Sequence, residues 1–300
     1  MRPGRPSDLP ALAELWREEV KAGKRDCTRP LPDLARVFAN FDWESRSRVV
    51  EADGRMQGAV IVTDRATGGG TVTRVDAAAC DSNLGAELTL WGVQLSRAAG
   101  AIAAQVWRHK KDGQGLPAGM EPARPFWRMD RVGLGDLEPA QIPAGYRVLD
   151  QQAWPPDQAW IDCYNDSFAG HWRFSPSSVE AVQQVLQSPA YRPDLNLIAT
   201  DDARRPAAVL YSFVGHYDAD SRPQPVGLVA VVGTRPDHRR RGLGRALTLE
   251  ALRRLRAAGA AVASLYVDGL NPTGAPAVYR GAGFEVAFEY EVWEAAFPPA

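Results

Sequence analysis

Apolar and polar residues alternate in short segments of the first half of the chain, and turn-forming pairs such as Asp53-Gly54 separate these segments. A period of two between such turns is typical of β-strands. The pattern predicts strands at residues 48–52, 57–63, 71–77, 101–107 and 126–132. Apolar residues three and four positions apart, as on one face of a helix, predict helices at residues 8–22 and 84–99.

The second half of the chain repeats this order of elements. The same spacing rules predict strands at residues 146–150, 195–200, 207–213, 226–234 and 262–268. They predict helices at residues 157–168, 177–187, 242–258 and 275–281, with further strand to the end. The polar segment Gly133–Gly145, which contains prolines and glycines, is predicted to be a linker. We therefore predict an α/β (α+β) protein of two similar sheet domains, residues 1–135 and 145–300.

The charges of the chain are balanced, since 35 Lys and Arg residues against 36 Asp and Glu residues give a formal net charge of −1. A balanced chain lacks the positive field that attracts nucleic acid or an anionic membrane, so we expect neither partner. The 3 cysteines and 4 histidines show no ligand spacing, so we expect no metal site. Asp8 and Glu14 interrupt any leader-like apolar run, which favours a cytoplasmic protein.

The clearest chemistry lies between the strand at 226–234 and the helix at 242–258. The sequence there reads Arg239-Arg240-Arg241-Gly242-Leu243-Gly244-Arg245-Ala246. Because first-turn N–H groups have no partner within a helix, a strand, a glycine turn and a helix N-terminus together form an anion site. The two glycines let the backbone approach the anion. The alternative is that the arginine run is only a solvated surface segment.

Arg239-x-x-Gly242-x-Gly244, preceded by a strand and Pro236-Asp237, resembles the acetyl-CoA pyrophosphate motif of the GNAT (general N-acetyltransferase) superfamily. Two further blocks follow in the family's order, a strand followed by Asn271 and a helix with Tyr279 ahead of Gly283-Phe284. The chain is thus identified as a tandem-domain member of that superfamily. The resemblance implies that each domain has a mixed, mostly antiparallel sheet flanked by helices, and that acetyl-CoA is the acyl donor.

The resemblance places the acetyl-CoA site at the end of the central strand and the start of the next helix. Pantetheine is expected to pair with strand backbone, above all at Val232 and Thr234, where the strand separates from its neighbour. The pyrophosphate is expected on the amides of the turn. The implied cofactor-binding residues are Val232, Gly233, Thr234, Arg239, Arg240, Arg241, Gly242, Leu243, Gly244, Arg245, Ala246 and Asn271.

Tyr279 is the catalytic residue that the resemblance implies. A phenol with a pKa of ~10 can protonate a departing thiolate whose conjugate acid has a pKa of ~8.5, so Tyr279 is expected to be the general acid. The alternative is a tyrosine that merely packs between helix and sheet. The chain departs from the commonest family spacing here, because Pro272 and its neighbours place Tyr279 one residue further from Asn271.

The general base is left open by the sequence. Many relatives carry a glutamate on the central strand, but residues 227–234 contain no carboxylate. The alternatives are His216, Asp218, Glu289 and Glu291.

The acceptor site is expected around an aromatic and basic loop that contains His171 and Trp172. Such side chains can stack on an acceptor or hydrogen-bond to it, and Tyr266 on the strand beside the thioester is expected to line the same cavity. The alternative is that His171–Phe174 form a hydrophobic plug over the edge of the sheet.

The first half looks like a degenerate copy of the same fold. At the equivalent place, residues 75–85 contain no arginine run and one glycine, and Asp81 would repel a diphosphate. All 8 tyrosines lie at position 146 or later, so the first half has no tyrosine to act as an acid. Its expected role is to close the substrate cleft and to stabilise the second half.

These observations predict an acetyl-CoA-dependent N-acetyltransferase, a monomer or homodimer, that acts on the primary amine of a small molecule by direct attack in a ternary complex. Among tandem members the chain is most similar to the mycothiol synthase group, which offers an amino-sugar or cysteinyl acceptor as an alternative. That group carries a glutamate where this chain has Leu228. Two further hypotheses are a transferase for longer acyl groups and a non-catalytic CoA-binding sensor module.

Overall fold

A computed structural model describes residues 1–110, 112, 115–188 and 191–298 of the chain. The elements up to residue 132 are β1 (Arg2–Pro3), α1 (Leu9–Lys21), α2 (Leu31–Val37), α3 (Trp43–Arg46), β2 (Ser47–Ala52), β3 (Arg55–Thr67), β4 (Gly70–Ala79), α4 (Ser82–Ala98), β5 (Ala103–His109) and β6 (Glu121–Val132). The two-residue strand β1 and the short helices α2 and α3 were not predicted. They are too short to show a hydrophobic period.

The elements after residue 132 follow the predicted order. They are β7 (Tyr146–Asp150), α5 (Gln158–Phe168), α6 (Val179–Leu186), β8 (Leu197–Asp201), β9 (Pro206–Gly215), β10 (Val226–Thr234), α7 (Leu243–Ala257), β11 (Val262–Asp268), α8 (Ala275–Gly281) and β12 (Glu285–Ala296). None of the helices in the described part of the chain is long and apolar enough to cross a bilayer.

The chain forms two compact units that do not follow the order of the sequence. The first unit comprises Met1–Phe126, Tyr217–Ser221 and Phe288–Ala300, and the second comprises Trp127–His216 and Arg222–Ala287. Within the first unit the strand order is β1-β2-β3-β4-β5-β12, and within the second it is β6-β11-β10-β9-β8-β7. The pattern of residues predicts β6 as the last strand of the first series, whereas its second half, from Trp127 onward, belongs to the second unit. The alternation of apolar and polar residues shows that a segment is a strand, but it does not show which neighbouring strand the segment pairs with.

The predicted fold class is confirmed, since each unit has a mixed, mostly antiparallel sheet flanked by helices. The pairs β2–β3, β3–β4, β8–β9 and β9–β10 are antiparallel. The pairs β4–β5 and β10–β11 are parallel. Each parallel pair is joined by a helix, α4 or α7, because parallel neighbours need a long crossover connection.

The core of the second unit is built around α7. One face of this helix carries an apolar stripe of Leu243, Leu247, Ala251 and Leu255, each at most 1% exposed. Such a stripe is what a helix needs to pack on a sheet. Gly227 on β10 lies under it, because a Cβ there would be only 3.0 Å from the side chain of Leu255. This close approach fixes α7, and therefore its N-terminus, against β10.

The segment predicted as a linker lies against α7. Leu134 is buried in the core of the second unit. Arg256 donates to the Gly135 carbonyl at 2.6 Å, and Arg245 forms an ion pair with Glu138. The segment therefore runs along the helix, although its composition is that of a free connection.

Candidate functional site

Strands β10 and β11 pair over only part of their length. The parallel ladder joins residues 226–228 to residues 262–264 and, among the described residues, reaches no further. On its other edge β10 stays paired with β9 as far as Thr234, with a register shift between Val229 and Val231. A shift of this kind is a β-bulge, which bends and twists a strand. Beyond residue 228, the edge of β10 that faces β11 is therefore open to a ligand's hydrogen bonds.

The turn between β10 and α7 depends on left-handed backbone conformations. Gly242, the residue before α7, has φ +88°, where a side chain would be strained. Arg240 has φ 60°, which is uncommon for a residue with a Cβ. The chain thus turns sharply and directs the N-terminus of α7 towards the end of β10.

The N-terminus of α7 is uncapped and has the geometry that favours an anion. None of the described side chains caps it. The amides of Arg239 and Ala246 already donate to the carbonyls of Pro236 and Gly242, at 3.3 and 3.0 Å. The amides between them are the groups that remain for a ligand. A Cβ on Gly244 would meet nothing closer than the Thr234 hydroxyl at 4.0 Å, so the space over this turn is free. Free N–H groups and the helix dipole favour a phosphate here.

Arg239 has a different role from its neighbours. Its guanidinium donates to the Thr234 carbonyl at 3.1 Å and to the Ser167 carbonyl at 3.0 Å. It therefore joins the end of β10 to the C-terminal end of α5. Because both hydrogen bonds of the Arg239 side chain are to backbone carbonyls, this side chain has a structural role. A phosphate at this turn would be bound by other groups.

The other arginines of the turn lie on the surface. Arg241 donates to the Tyr146 hydroxyl and to the Asp237 carbonyl, each at 3.0 Å. Arg240 is exposed, and none of the described residues forms an ion pair with it. Arg240 is therefore the arginine of the run that is available to a phosphate without losing a partner.

Gly233 belongs to the predicted cofactor residues, and it is also a packing position. A Cβ there would lie 2.7 Å from the ring of Phe168 and 2.8 Å from the Cβ of Ser167. The glycine thus lets α5 approach β10 closely. Val232 and Thr234 on either side keep their backbone pairing with β9.

Tyr279 lies on α8 and is buried, with 8% of its surface exposed. Its ring packs edge-on against Phe284, 6.2 Å between ring centroids. Burial raises its pKa to about 12, because the phenolate loses solvation. The hydroxyl has no hydrogen-bond partner among the described residues. The phenol is thus kept protonated, which is the state that a general acid needs.

Asn271 precedes α8 in a local turn. Its side-chain oxygen accepts from the amide of Thr273 at 2.9 Å and from the hydroxyl of Thr273 at 2.6 Å. These two bonds define an Asx-type turn just ahead of α8.

The face of the sheet opposite α7 carries the predicted acceptor residues. Because Ala263 and Leu265 on β11 pack into the α7 core, side-chain alternation places Ser264 and Tyr266 on the other face. Tyr266 is 40% exposed there. Helix α5 packs on the same face, since Val231 of β10 lies against its buried residues.

His171 and Trp172 follow α5 directly. The His171 amide donates to the Phe168 carbonyl at 2.8 Å, and the two rings meet edge-on with centroids 4.7 Å apart. The imidazole is half-buried, and burial together with the nearby Arg239 lowers its pKa. Phe168 and Phe174 stack at 6.4 Å, so the loop is an ordered aromatic cluster on α5.

A family model described as an acetyltransferase (GNAT) domain matches residues 158–287, which hold the separated strands, the open helix N-terminus and Tyr279. These residues are a GNAT acetyltransferase domain. The predicted resemblance to that superfamily is confirmed.

Two relatives and two solved structures extend the comparison. The chain is 34% identical to a mycothiol acetyltransferase of Kytococcus sedentarius, over 61% of this chain and 62% of the relative. It is 29% identical to one of Thermobispora bispora, over 94% and 93%. A GCN5-related N-acetyltransferase from Sphaerobacter thermophilus has a TM-score of 0.81 at 24% identity, covering 100% and 96% of the two chains. A tandem GNAT protein from the clavulanic acid biosynthesis pathway has a TM-score of 0.68 at 16% identity, covering 100% and 98%.

Three of the four candidates for the general base, Asp218, Glu289 and Glu291, belong to the first unit. Asp218 forms an ion pair with Arg17 at 2.7 Å within the first unit. Glu289 forms one with Lys110 at 3.0 Å, also in that unit. Glu291 pairs through its backbone with β5. His216 is exposed at the end of β9.

A buried polar cluster that the sequence analysis missed lies in the second unit, around Ser264 on the face of β11 that points away from α7. Ser264 donates to Asp130 at 2.7 Å and accepts from Arg222 at 2.7 Å. All three residues are at most 9% exposed. The one available signal was a serine inside the apolar strand β11. Among the described residues, no group of His, Cys, Asp and Glu is arranged to hold a metal ion.

Proposed function

We propose that the protein transfers an acetyl group from acetyl-CoA to the primary amine of a small molecule, by direct attack within a ternary complex. The observation that carries this proposal is the uncapped N-terminus of α7 at the end of a strand that has separated from its neighbour. The match of residues 158–287 to the acetyltransferase (GNAT) family supports it.

The residues of the second unit fit the parts of acetyl-CoA. The diphosphate fits the free amides between Arg239 and Ala246, with Arg240 as a nearby positive charge. The pantetheine arm fits the open edge of β10 around Val232 to Thr234. A backbone N–H of this edge would polarise the thioester carbonyl and stabilise the oxyanion that forms. Acetyl-CoA supplies an acyl group that is activated as a thioester.

Tyr279 is proposed as the general acid. It holds a proton that the departing sulfur can take, and its burial keeps water away from that proton. Tyr266 lies on the face of β11 that points away from α7, and its ring is half-exposed. It is proposed to contact the acceptor. Trp172 is proposed to contact the acceptor from the loop after α5.

A narrower candidate for the acceptor comes from the relatives, whose name is mycothiol acetyltransferase. An amino-sugar or cysteinyl amine is therefore the first acceptor to try. The mycothiol synthase group has a glutamate at the position of Leu228. A leucine cannot bind the acceptor's amine as that carboxylate can, so this chain is expected to bind such an acceptor through other residues. In this chain Leu228 pairs with Ser264, beside the buried Asp130 carboxylate.

The proposal is tested by following thiol release from acetyl-CoA with a panel of amino sugars, amino acids and polyamines. We expect at least one amine to raise thiol release above the rate of hydrolysis and to gain one acetyl group by mass. Longer acyl-CoAs in the same assay determine the acyl length. Binding of acetyl-CoA without thiol release for any amine would contradict the proposal and favour a CoA-binding sensor module. Gel filtration distinguishes the predicted monomer from the homodimer.

A further inference from the structure

His171 lies close to strand β10 of the second unit, next to Phe168. Its ring contacts Phe168, and Phe168 reaches to within 2.7 Å of the point where Gly233 of β10 would carry a Cβ. One aromatic ring therefore separates the imidazole from the strand on which the thioester is proposed to lie. The imidazole is on the face of the sheet that also carries Tyr266, from which an acceptor would approach.

Burial and two nearby charges act on the pKa of the His171 imidazole. Arg239 stands on one side, held by the carbonyls of Thr234 and Ser167, and Asp268 acts on it from the end of β11. On α5 the nearest carboxylate, Asp166, is paired with Arg235 at 2.6 Å. Burial has the largest effect on the pKa of His171 and lowers it from 6.5, and Arg239 lowers it further. The ring is thus neutral at pH 7 and able to accept a proton.

The other basic groups of the second unit are less well placed. Residues 227–234 contain no carboxylate. Asp130 accepts from Ser264 and pairs with Arg222 in a buried cluster, so its carboxylate is already engaged by these partners. Among the described residues, no hydrogen bond involves the ring nitrogens of His171, so they are available to a substrate.

We propose that His171 is the general base of the acetyl transfer, a role that rests on the function proposed above. It takes one proton from the acceptor's ammonium group, and the neutral amine then attacks the thioester carbonyl carbon. A C–N bond forms and the C–S bond breaks. Tyr279 gives its proton to the departing sulfur and regains one from the nitrogen. The products are the acetamide, the free thiol of CoA and an imidazolium that releases its proton to solvent.

The experiment measures thiol release from acetyl-CoA as a function of pH for the wild type and for His171→Phe. Phenylalanine keeps a ring against Phe168 and removes the base. We expect kcat/KM at pH 7 to fall about 100-fold, the usual size of a general-base effect. The deficit should shrink as pH rises, because the solution then supplies the neutral amine. Affinity for acetyl-CoA, measured by calorimetry, should not change.

Two further variants distinguish a chemical role of His171 from a purely structural one. In His171→Ala, added imidazole should restore part of the lost rate, which a purely structural role would not allow. His216→Gln is the matched change at an exposed histidine. The NMR titration of the wild-type imidazole should have its midpoint below 6.5 and coincide with the acidic limb of kcat/KM, since the neutral base acts only above its pKa.

The outcomes distinguish the two proposals. An active wild type whose acidic limb persists unchanged in His171→Phe, or disappears in His216→Gln instead, overturns the role of His171 alone. A wild type that binds acetyl-CoA and releases no thiol with any amine overturns the acetyl transfer itself, and with it this role.

Discussion

The N-termini of α4 and α7 occupy equivalent places in the two units, yet they differ in what they can bind. Each helix follows a strand that pairs in parallel with the next strand over a short stretch, residues 72–74 with 103–105 and residues 226–228 with 262–264. In α4 the Asp81 carboxylate accepts from the amides of Asn83 and Leu84, both at 2.9 Å. In α7 the residue before the helix is Gly242, and the amides stay open.

The strands before these helices differ as well. The pairing of β3 with β4 keeps one register from end to end, whereas β10 shifts between Val229 and Val231. The second unit has α8 with Tyr279, whereas the segment of the first unit that holds α4, residues 1–126, contains no tyrosine. The two units thus share a fold, while the uncapped helix start and the strand with a register shift, which favour a diphosphate and a thioester, occur at α7 and not at α4. We therefore expect a few atoms at a helix start to decide whether this fold binds an acyl donor.

The largest effect is expected when the start of α7 is given the side chain found at α4. Gly242→Asp should weaken acetyl-CoA binding by about 100-fold or more, because a carboxylate some 4 Å from a phosphate is strongly repelled. Gly242→Asn is the matched control, with the same shape and similar backbone strain but no charge. Calorimetry should show a much smaller loss for asparagine. Equal losses of acetyl-CoA affinity in Gly242→Asp and Gly242→Asn would mean that the carboxylate charge is not what distinguishes the start of α4 from that of α7.

Tyr279→Phe removes a tyrosine hydroxyl that residues 1–126 of the first unit cannot supply. We expect kcat to fall about 100-fold while the Kd for acetyl-CoA stays the same, since the phenol acts only as the thiolate departs. Burial raises the pKa of Tyr279 to about 12, so the wild type should not lose this acid between about pH 7 and pH 10. Unchanged turnover would remove Tyr279 from the mechanism and leave it a packing residue.

Arg240→Gln tests whether the arginine run contributes more than the amides do. Arg240 is exposed, so its charge is screened, and we expect acetyl-CoA affinity to fall only about threefold. The loss should diminish as salt is added. A loss as large as that of Gly242→Asp would show that charge, rather than the open helix start, binds the diphosphate.

Asp81→Ala is expected to have the smallest effect, on stability alone. Loss of the cap leaves the amides of α4 without their partner and should lower the free energy of unfolding by about 1 kcal/mol. Asp202→Ala, at an exposed aspartate of the second unit, is the control and should leave the melting temperature unchanged. A decrease in acetyl-CoA affinity for Asp81→Ala would contradict the assignment of binding to the second unit.

Much of this arrangement could be predicted from the sequence, because it depends on local patterns. The apolar stripe of α7 and the bounds of β10, β11 and α8 follow from spacing alone. The glycines of the turn also predicted an anion site from the local sequence, since a left-handed residue before a helix favours glycine.

What could not be predicted depends on contacts between residues distant in sequence. No local pattern shows that Arg239 clamps carbonyls of β10 and α5, or that Asp218 is paired with Arg17. The pairing of β12, the last strand of the chain, within the first unit is a matter of strand partners, which alternation leaves undetermined. Gly133–Gly145 has the composition of a linker, and its packing on α7 is shown by the buried Leu134 and by the contacts of Gly135 and Glu138 with arginines of that helix.

The most direct test of where acetyl-CoA binds is a calorimetric titration of the wild type, Gly242→Asp and Asp81→Ala with acetyl-CoA. The comparison of the two helix starts predicts one site per chain in the wild type, the same site in Asp81→Ala and no measurable site in Gly242→Asp. Two sites per chain, or a site that survives in Gly242→Asp and is lost in Asp81→Ala, would contradict the claim that acetyl-CoA binds at α7.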